Sequence, residues 1–488
     1  MSKGAYKGPL ERIDDYCWRI PKSYKDGMRV DGLIYVDSTL VDQLCSDQAP
    51  EQVANVACLP GIQMASLAMP DIHWGYGFCI GGVCATDPEQ GGVISPGGVG
   101  YDINCGIRLV RTNLHCSEVK PHLQHLIDRL FSSLPCGIGK EGNYHFKKKE
   151  LKKLLEQGVP FLLNRGLATE LDLQRTEAQG CLAGAEPDNL SERAIERGAK
   201  QCGTLGSGNH FVEVQVIDQI FDQKAATVFG LEQHMVCVMI HSGSRGLGYQ
   251  VCDDSLRQLR GAASKYGIYL PDQQLACAPA NSHEGKHYIG AMRAAANFAW
   301  CNRQLLLWQT REVFSEVFGR AWEHLQMFQI YDVAHNIAKF ERHAVGNNSF
   351  KKLWVHRKGA TRAFPANHPE LPEEYRQIGQ PVLIPGDMGT ASWVLVGQPK
   401  SMEKTFGTTC HGAGRILSRT AAVKEARGRL IDQELLERGI IARAQSRQGL
   451  AEEHSQAYKD VDHIVEVVHQ AGLSKKVARL RPMGVIKG

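Results

Sequence analysis

Apolar positions along the chain recur in two rhythms. Spacings of three and four residues run through Val119–Ser133, Phe146–Glu156, Gly246–Tyr266, Gly290–Val317 and Leu430–Gly439. At that period side chains fall on one face of a helix. Short β-branched runs at Phe211–Ile217, Met235–Ile240, Phe328–Val333, Leu353–His356 and Trp393–Val396 predict strands. The two kinds mix without a regular strand–helix–strand alternation, so the expected class is α+β and not a doubly wound sheet. No repeat, coiled coil or low-complexity linker interrupts the pattern, and residues 1–488 read as one domain. The basic stretch Phe146–Lys153 (FKKKELKK) reads as a solvated helix face.

Composition narrows the picture. With 43% hydrophobic and 22% charged residues the chain is not globally disordered. Its 56 Lys+Arg against 52 Asp+Glu leave a net charge of only +4, so a nucleic-acid partner must be held by local basic patches. No run approaches ~18 apolar residues, and no membrane span is expected. The first twenty residues lack an apolar core, so no secretion leader is expected either. The 15 cysteines are odd in number and form no C-x-x-C pair, which suits reduced thiols in a cytoplasmic protein. Glycine is the outlier: 50 residues, against a usual share of ~7%.

Those glycines concentrate in six loops that also carry ionisable or metal-capable residues: Pro70–Gly82, Gly97–Arg108, Gly203–Glu213, His241–Gly248, Pro385–Ser392 and Phe406–Arg415. Glycine lets backbone N–H groups approach an anion closely. Asp102 and Cys105 stand three apart in one such loop, while His210, His241 and His335 sit at predicted strand ends. One histidine so placed is ordinarily a bonded core residue. Three, with a carboxylate and a thiol, point to a metal site with open positions, and the mixed donor set admits Zn, Co, Fe or Mn. Arg197, Arg245, Arg415, Arg419 and Lys487 are candidates for gripping phosphate. No Walker A pattern occurs, and no K-x-D-G lysine nucleophile. His283-Glu284-Gly285-Lys286-His287 fits the H-E-x-x-H zinc-peptidase pattern. However, Arg293 replaces the next histidine, and Gly285 costs a helix ~1 kcal/mol.

At GGVGYDINCGIR, GTLGSGNHFVE, HSGSRGLG, YDVAHNIAK, HRKGATRAFP, FGTTCHGAGR and RPMGVIKG the chain resembles the RtcB family of GTP-dependent RNA ligases, from about Trp18 to Gly488. The resemblance implies a single compact α+β body with a deep metal-containing cleft. It implies joining of RNA 2′,3′-cyclic-phosphate or 3′-phosphate ends to 5′-hydroxyl ends, in tRNA splicing or repair. The cofactors implied are GTP and two Mn²⁺, and the partners are RNA and an archease-like activating protein. By position, His411 becomes the nucleophile that carries GMP. Asp102, Cys105, His210, His241 and His335 become the metal ligands, with Cys105 shared. Asn209, His210, Phe211, Val212, Glu213, His335, Asn336, Pro385, Gly386, Asp387, Met388, Ser392, His411, Gly412, Ala413, Gly414, Tyr458 and Lys487 match the family's GTP contacts. Asp71, Arg197 and Arg419 align with residues around the RNA ends. Two departures lie near the expected guanine pocket: Asp387 in the P-G-x-M-G loop, and EEHSQAY ahead of and including Tyr458. Asp387 is a candidate acceptor for guanine's donors. Two other readings stay open: a GTP- and metal-binding factor that senses RNA ends with weak ligation, and, more remotely, the zinc peptidase.

Overall fold

The computed structural model describes residues 4–137, 139–346 and 349–488. The larger sheet runs, in spatial order, Gln329–Ala334, Gly106–His115, Met235–Ser242, Phe211–Ile220, Ser474–Lys487, Ser392–Gly397 and Pro381–Ile384. Ile441–Ala444 joins Ser474–Lys487 in parallel, and every other pairing in this sheet is antiparallel. Met235–Ser242 is buried at every position. Successive side chains of a strand point to opposite faces, and here both faces are covered. Val236, Val238 and Ile240 pack with Leu126, Ile127 and Leu130, while Cys237 and Met239 pack with Ala225 and Phe229. That is why the sequence shows an unbroken apolar run there.

A second sheet orders Glu11–Arg12, Trp18–Ile20, Asp31–Ile34, Ala65–His73, Ile80–Thr86, Ser349–Lys358 and Asn336–Val345. The strand expected at Leu353–His356 lies in the buried part of Ser349–Lys358, whose first four residues, Ser349-Phe350-Lys351-Lys352, are largely solvent-facing and hold a single apolar side chain. A short ribbon pairs Ala360–Arg362 with Thr408–Cys410. Sheets and helices form one compact α+β body, as the sequence implied. Among the described residues no helix is long and apolar enough to cross a membrane.

The predicted helices appear with shifted boundaries. Pro121 lies in a 3-10 turn, Lys120–His122, so the regular helix begins only at Leu123. The helix expected from Gly290 starts at His283 and runs to Phe318. Ser282 caps it by accepting the Gly285 N–H at 3.1 Å. Ala294 through Leu307 are buried without a gap, including Asn302 and Arg303. Both are fully bonded, as buried polar groups must be.

Candidate metal and nucleotide centre

Four adjacent strands of the larger sheet end at one edge, and each of those ends carries a metal-capable side chain. His335 follows Gln329–Ala334, Cys105 precedes Gly106–His115, His241 closes Met235–Ser242 but for one residue, and His210 precedes Phe211–Ile220. Antiparallel neighbours set a beginning beside an end. The register places Gly106 opposite Ala334 and Ser242, and Phe211 opposite His241. Strands about 4.8 Å apart then bring the donors into contact. Cys105 Sγ lies 3.3 Å from Nε2 of both His210 and His241. The His210–His241 and His241–His335 ring centroids are 5.3 and 5.1 Å apart.

Asp102 closes the group. Its Oδ2 is 2.8 Å from His210 Nε2, and its Oδ1 accepts the Ser244 N–H at 2.9 Å. A Cβ at Gly243 would stand 2.2 Å from that carboxylate, so only glycine fits. Arg303, from the middle of the long helix, holds the arrangement from behind. Its guanidinium donates to Asn104 O at 2.7 Å and Ser242 O at 2.9 Å, and pairs with Asp332 at 2.8 Å. Nothing in the sequence pattern marked Arg303, because an arginine within an apolar helix has no motif of its own.

Burial dominates the electrostatics here. It pushes the imidazoles of His241 and His335 well below their usual range, so both are neutral with lone pairs available. Burial and Asp102 together raise the Cys105 thiol. Burial alone would raise Asp102 too, but His210 and Arg245 hold its carboxyl well below the ordinary range. The buried Nδ1 atoms of His210, His241 and His335 have no partner among the described residues. Three buried imidazoles and a buried thiol beside a half-buried carboxylate suit a divalent transition ion.

His411 follows the Thr408–Cys410 ribbon strand and faces this group, its ring centroid 4.9 Å from that of His335. Asp71, fully buried in Ala65–His73, accepts His411 Nδ1–H at 2.5 Å and the His411 backbone N–H at 2.9 Å. Close approach of the two chains requires Gly414 (φ 75°), where a Cβ would meet Asp71 O at 2.4 Å. Asp71 therefore stands behind His411, not in the open cleft.

The cleft itself holds about 230 Å³. Asp102, Cys105, His241, His335 and His411 line its floor. Asn209, Phe211, Asn336, Pro385–Met388, Gly412–Gly414, Arg419, Tyr458 and Lys487 line its walls. His210 reaches the centre through its bonds to Cys105 and Asp102. Ser392 lies behind the Pro385–Met388 loop, accepting Gly386 N–H at 3.3 Å. Glu213 is buried one layer down and accepts from Gln215 at 2.7 Å. Its carboxyl is raised by burial, while burial lowers the Lys487 ammonium.

Strand alternation turns the side chain of Val212 into the apolar cluster on the opposite face. Arg197 and Arg245 also stand outside the cleft wall, donating to Gln250 at 3.0 Å and Thr204 at 3.0 Å. Asp387 lies in the wall, but its carboxylate is occupied by Gly389 N–H and Thr390 Oγ, both at 2.8 Å, and by the Ser455 hydroxyl. The sequence reading missed His73 and Glu453 as cleft residues. Glu453 is buried and pairs with Arg415 at 3.0 Å, Arg419 at 3.3 Å and the Tyr458 hydroxyl. Its signal lay in the acidic pair before Tyr458, which had registered only as a departure from pattern.

The H-E-x-x-H segment is different. His283 and His287 lie in the first turns of the long helix with rings 6.5 Å apart. Glu284 is tied to Lys265 at 2.7 Å and the Tyr266 hydroxyl at 2.8 Å, which holds its carboxyl down at about 2. No third ligand joins them among the described residues.

Comparison with known proteins agrees with this geometry. Residues 52–488 match the family model described as tRNA-splicing ligase RtcB. The chain is 55% identical to the tRNA-splicing ligase RtcB of Archaeoglobus fulgidus, covering 99% of both chains. It is 53% identical to that of Thermococcus kodakarensis over 98% of this chain and 99% of the relative. The RNA-splicing ligase RtcB of Mycobacterium tuberculosis is 51% identical, over 90% of this chain and all of the relative. Cleft, donor set and sequence similarity over nearly the full length converge: the chain belongs to the RtcB family.

Proposed function

We propose that the protein is an RNA ligase of tRNA splicing or RNA repair, joining 3′-phosphate or 2′,3′-cyclic-phosphate ends to 5′-hydroxyl ends through a histidine–GMP intermediate. The observation that carries this reading is His411: a largely buried imidazole, 13% exposed, at the edge of the donor cluster, with Nδ1 held by a buried carboxylate. A carboxylate on Nδ1–H fixes the tautomer and leaves the Nε2 lone pair free to attack. Nε2 forms a bond to the α-phosphorus of GTP as the bond to pyrophosphate breaks, and Asp71 offsets the positive charge that develops on the ring.

GMP then passes to a 3′-phosphate oxygen of the RNA, breaking the N–P bond. Attack by the 5′-hydroxyl expels GMP and forms the phosphodiester. A cyclic phosphate must first be hydrolysed, water adding to phosphorus as the P–O2′ bond breaks, to leave the terminal 3′-phosphate monoester that accepts GMP. Asp102, Cys105, His210, His241 and His335 would hold two Mn²⁺ ions with Cys105 shared, and bound divalent ions supply charge neutralisation to the transferring phosphoryl group.

Base choice falls on the buried pair at the cleft's side. Guanine presents two donors and a neighbouring acceptor on one edge; Glu213 supplies the acceptor and Lys487 the donor. Asp387, already bonded to its own loop, shapes the wall.

The test is covalent labelling with α-³²P-GTP and Mn²⁺. Wild type should take up label that is labile to acid and stable to alkali, as a phosphoramidate is, and should seal cyclic-phosphate RNA to 5′-hydroxyl RNA on a gel. His411→Ala should take up none while keeping its metals. An acid-stable adduct, or labelled protein that never seals, would overturn the ligase reading, the second result in favour of an end-sensing factor.

A further inference from the structure

The two strands that present Cys105 and His241 carry a second set of donors at their other ends. Gly106–His115 runs from just after Cys105 to His115, with Cys116 next. Met235–Ser242 ends near His241 and is preceded by His234. Ten residues at about 3.3 Å each separate the two groupings by roughly 30 Å. Cys116 Sγ and one ring nitrogen from each of His115 and His234 all lie within 4.8 Å of one another. His115 and His234 are exposed and Cys116 is half-buried.

The backbone already fixes this grouping. Cys116 N–H donates to His234 O at 2.9 Å, and His234 N–H to Ile217 O at 2.8 Å. His234 is held in a left-handed conformation, φ 69°. The two rings meet edge to face with centroids 5.5 Å apart. His115 Nδ1 accepts the Ser117 backbone N–H at 3.2 Å and lies 2.7 Å from Ser117 Oγ, which holds the ring at the head of the Cys116–Val119 turn. Three donors are therefore gathered by strand pairing, with little side-chain ordering left to pay for.

We propose that His115, Cys116 and His234 form a second metal site, distant from the cleft, for a thiophilic ion of the Zn²⁺ class. Two imidazoles and a thiolate select such an ion over Mn²⁺ or Mg²⁺, which prefer oxygen. Zn²⁺ takes four ligands, so three from the protein leave one position to water. Binding forms the Zn–S bond and releases the thiol proton to solvent. The ion ties the start of the Cys116–Val119 turn to the start of the neighbouring strand. The proposal stands apart from the ligase reading, and its test does not depend on activity.

Full-length protein freed of metal is treated with N-ethylmaleimide, with and without low-micromolar Zn²⁺, and each cysteine is followed by peptide mass spectrometry. Zn²⁺ should slow modification of Cys116 by at least about tenfold once it exceeds the dissociation constant by that factor. Cys45 and Cys181, half-buried like Cys116, should react at unchanged rates, and Mn²⁺ should give Cys116 no protection. His115→Ala/His234→Ala should lose the protection and bind one Zn²⁺ fewer per chain by elemental analysis. The same Cys116 rate with and without Zn²⁺ in wild type would overturn the proposal. Equal protection in the double variant would overturn it as well.

Discussion

Asp71 and His411 lie 340 residues apart in the chain, and their pairing sets two predictions. Asp71→Asn keeps the shape but presents an amide donor where Nδ1–H needs an acceptor, favouring the wrong tautomer. GTP labelling should fall by ~10²-fold or more with the fold intact. Cys105→Ala should abolish labelling and reduce bound metal, because its sulfur touches two of the other donors. Cys410→Ala, adjacent to His411 but packed in the apolar core, should label nearly as wild type. Equal loss in both cysteine variants would remove any special role from Cys105. Base choice belongs at this scale too: Glu213→Gln should narrow a preference for GTP over ATP, measured by labelling at equal nucleotide concentration, whereas Asp387→Asn should leave it in place. Several of these residues were legible in the sequence, since glycine-flanked histidines, a thiol and an aspartate advertise chemistry by type. Glu453 and His73 were not, because a buried ion pair and a histidine bonded to backbone acquire their meaning only from partners distant in the chain.

Arg303 shows what an element contributes. The helix His283–Phe318 delivers a guanidinium to the two loops that carry Asp102 and His241. Arg303→Met leaves two buried carbonyls without their donor and Asp332 with only Arg108. Loss of about 3 kcal/mol is expected by denaturant titration, with metal content falling before global unfolding. His283→Ala/His287→Ala, at the exposed start of the same helix, should change neither metal content in the cleft nor stability by much. Helices and strands were predicted where both propensity and burial agreed. Boundaries failed where they did not: Gly285 and Gly290 dilute the first turns of the long helix, yet close packing requires a glycine at 285, where a Cβ would stand 2.3 Å from Pro279 O. The exposed half of Ser349–Lys358 offers only Phe350 among polar residues, too little for the alternation that identifies a strand.

For the whole molecule, the interior is unusually rich in ion pairs. Asp172–Arg311 at 2.7 Å and Glu341–Arg357 at 2.7 Å are almost fully buried. Burial by itself would raise both carboxyls, but the arginines hold them below their ordinary values. Unfolded, these groups titrate near 3.9 and 4.3. Their stabilisation is therefore present above that range and lost as pH falls through the lower folded values. Desolvation holds His73 and His356 neutral, with folded values lowered to about 4, so both take up protons on unfolding below about 6.5. Melting temperature should therefore begin to fall below about pH 6.5 and drop more steeply below about 4; a curve flat from about pH 7 to 5 would overturn this. The larger sheet has a further consequence, this time for how the chain is made. Its strand Ser474–Lys487 lies between Phe211–Ile220 and Ser392–Gly397 and carries Lys487 into the cleft. Until residue 474 has been synthesised, tens of seconds after translation begins at ~5–20 residues per second, those two strands have no bridge between them. From the completion of Phe211–Ile220 onward the nascent protein holds an open, unpaired edge, and its cleft wall closes only when that bridging strand leaves the ribosome.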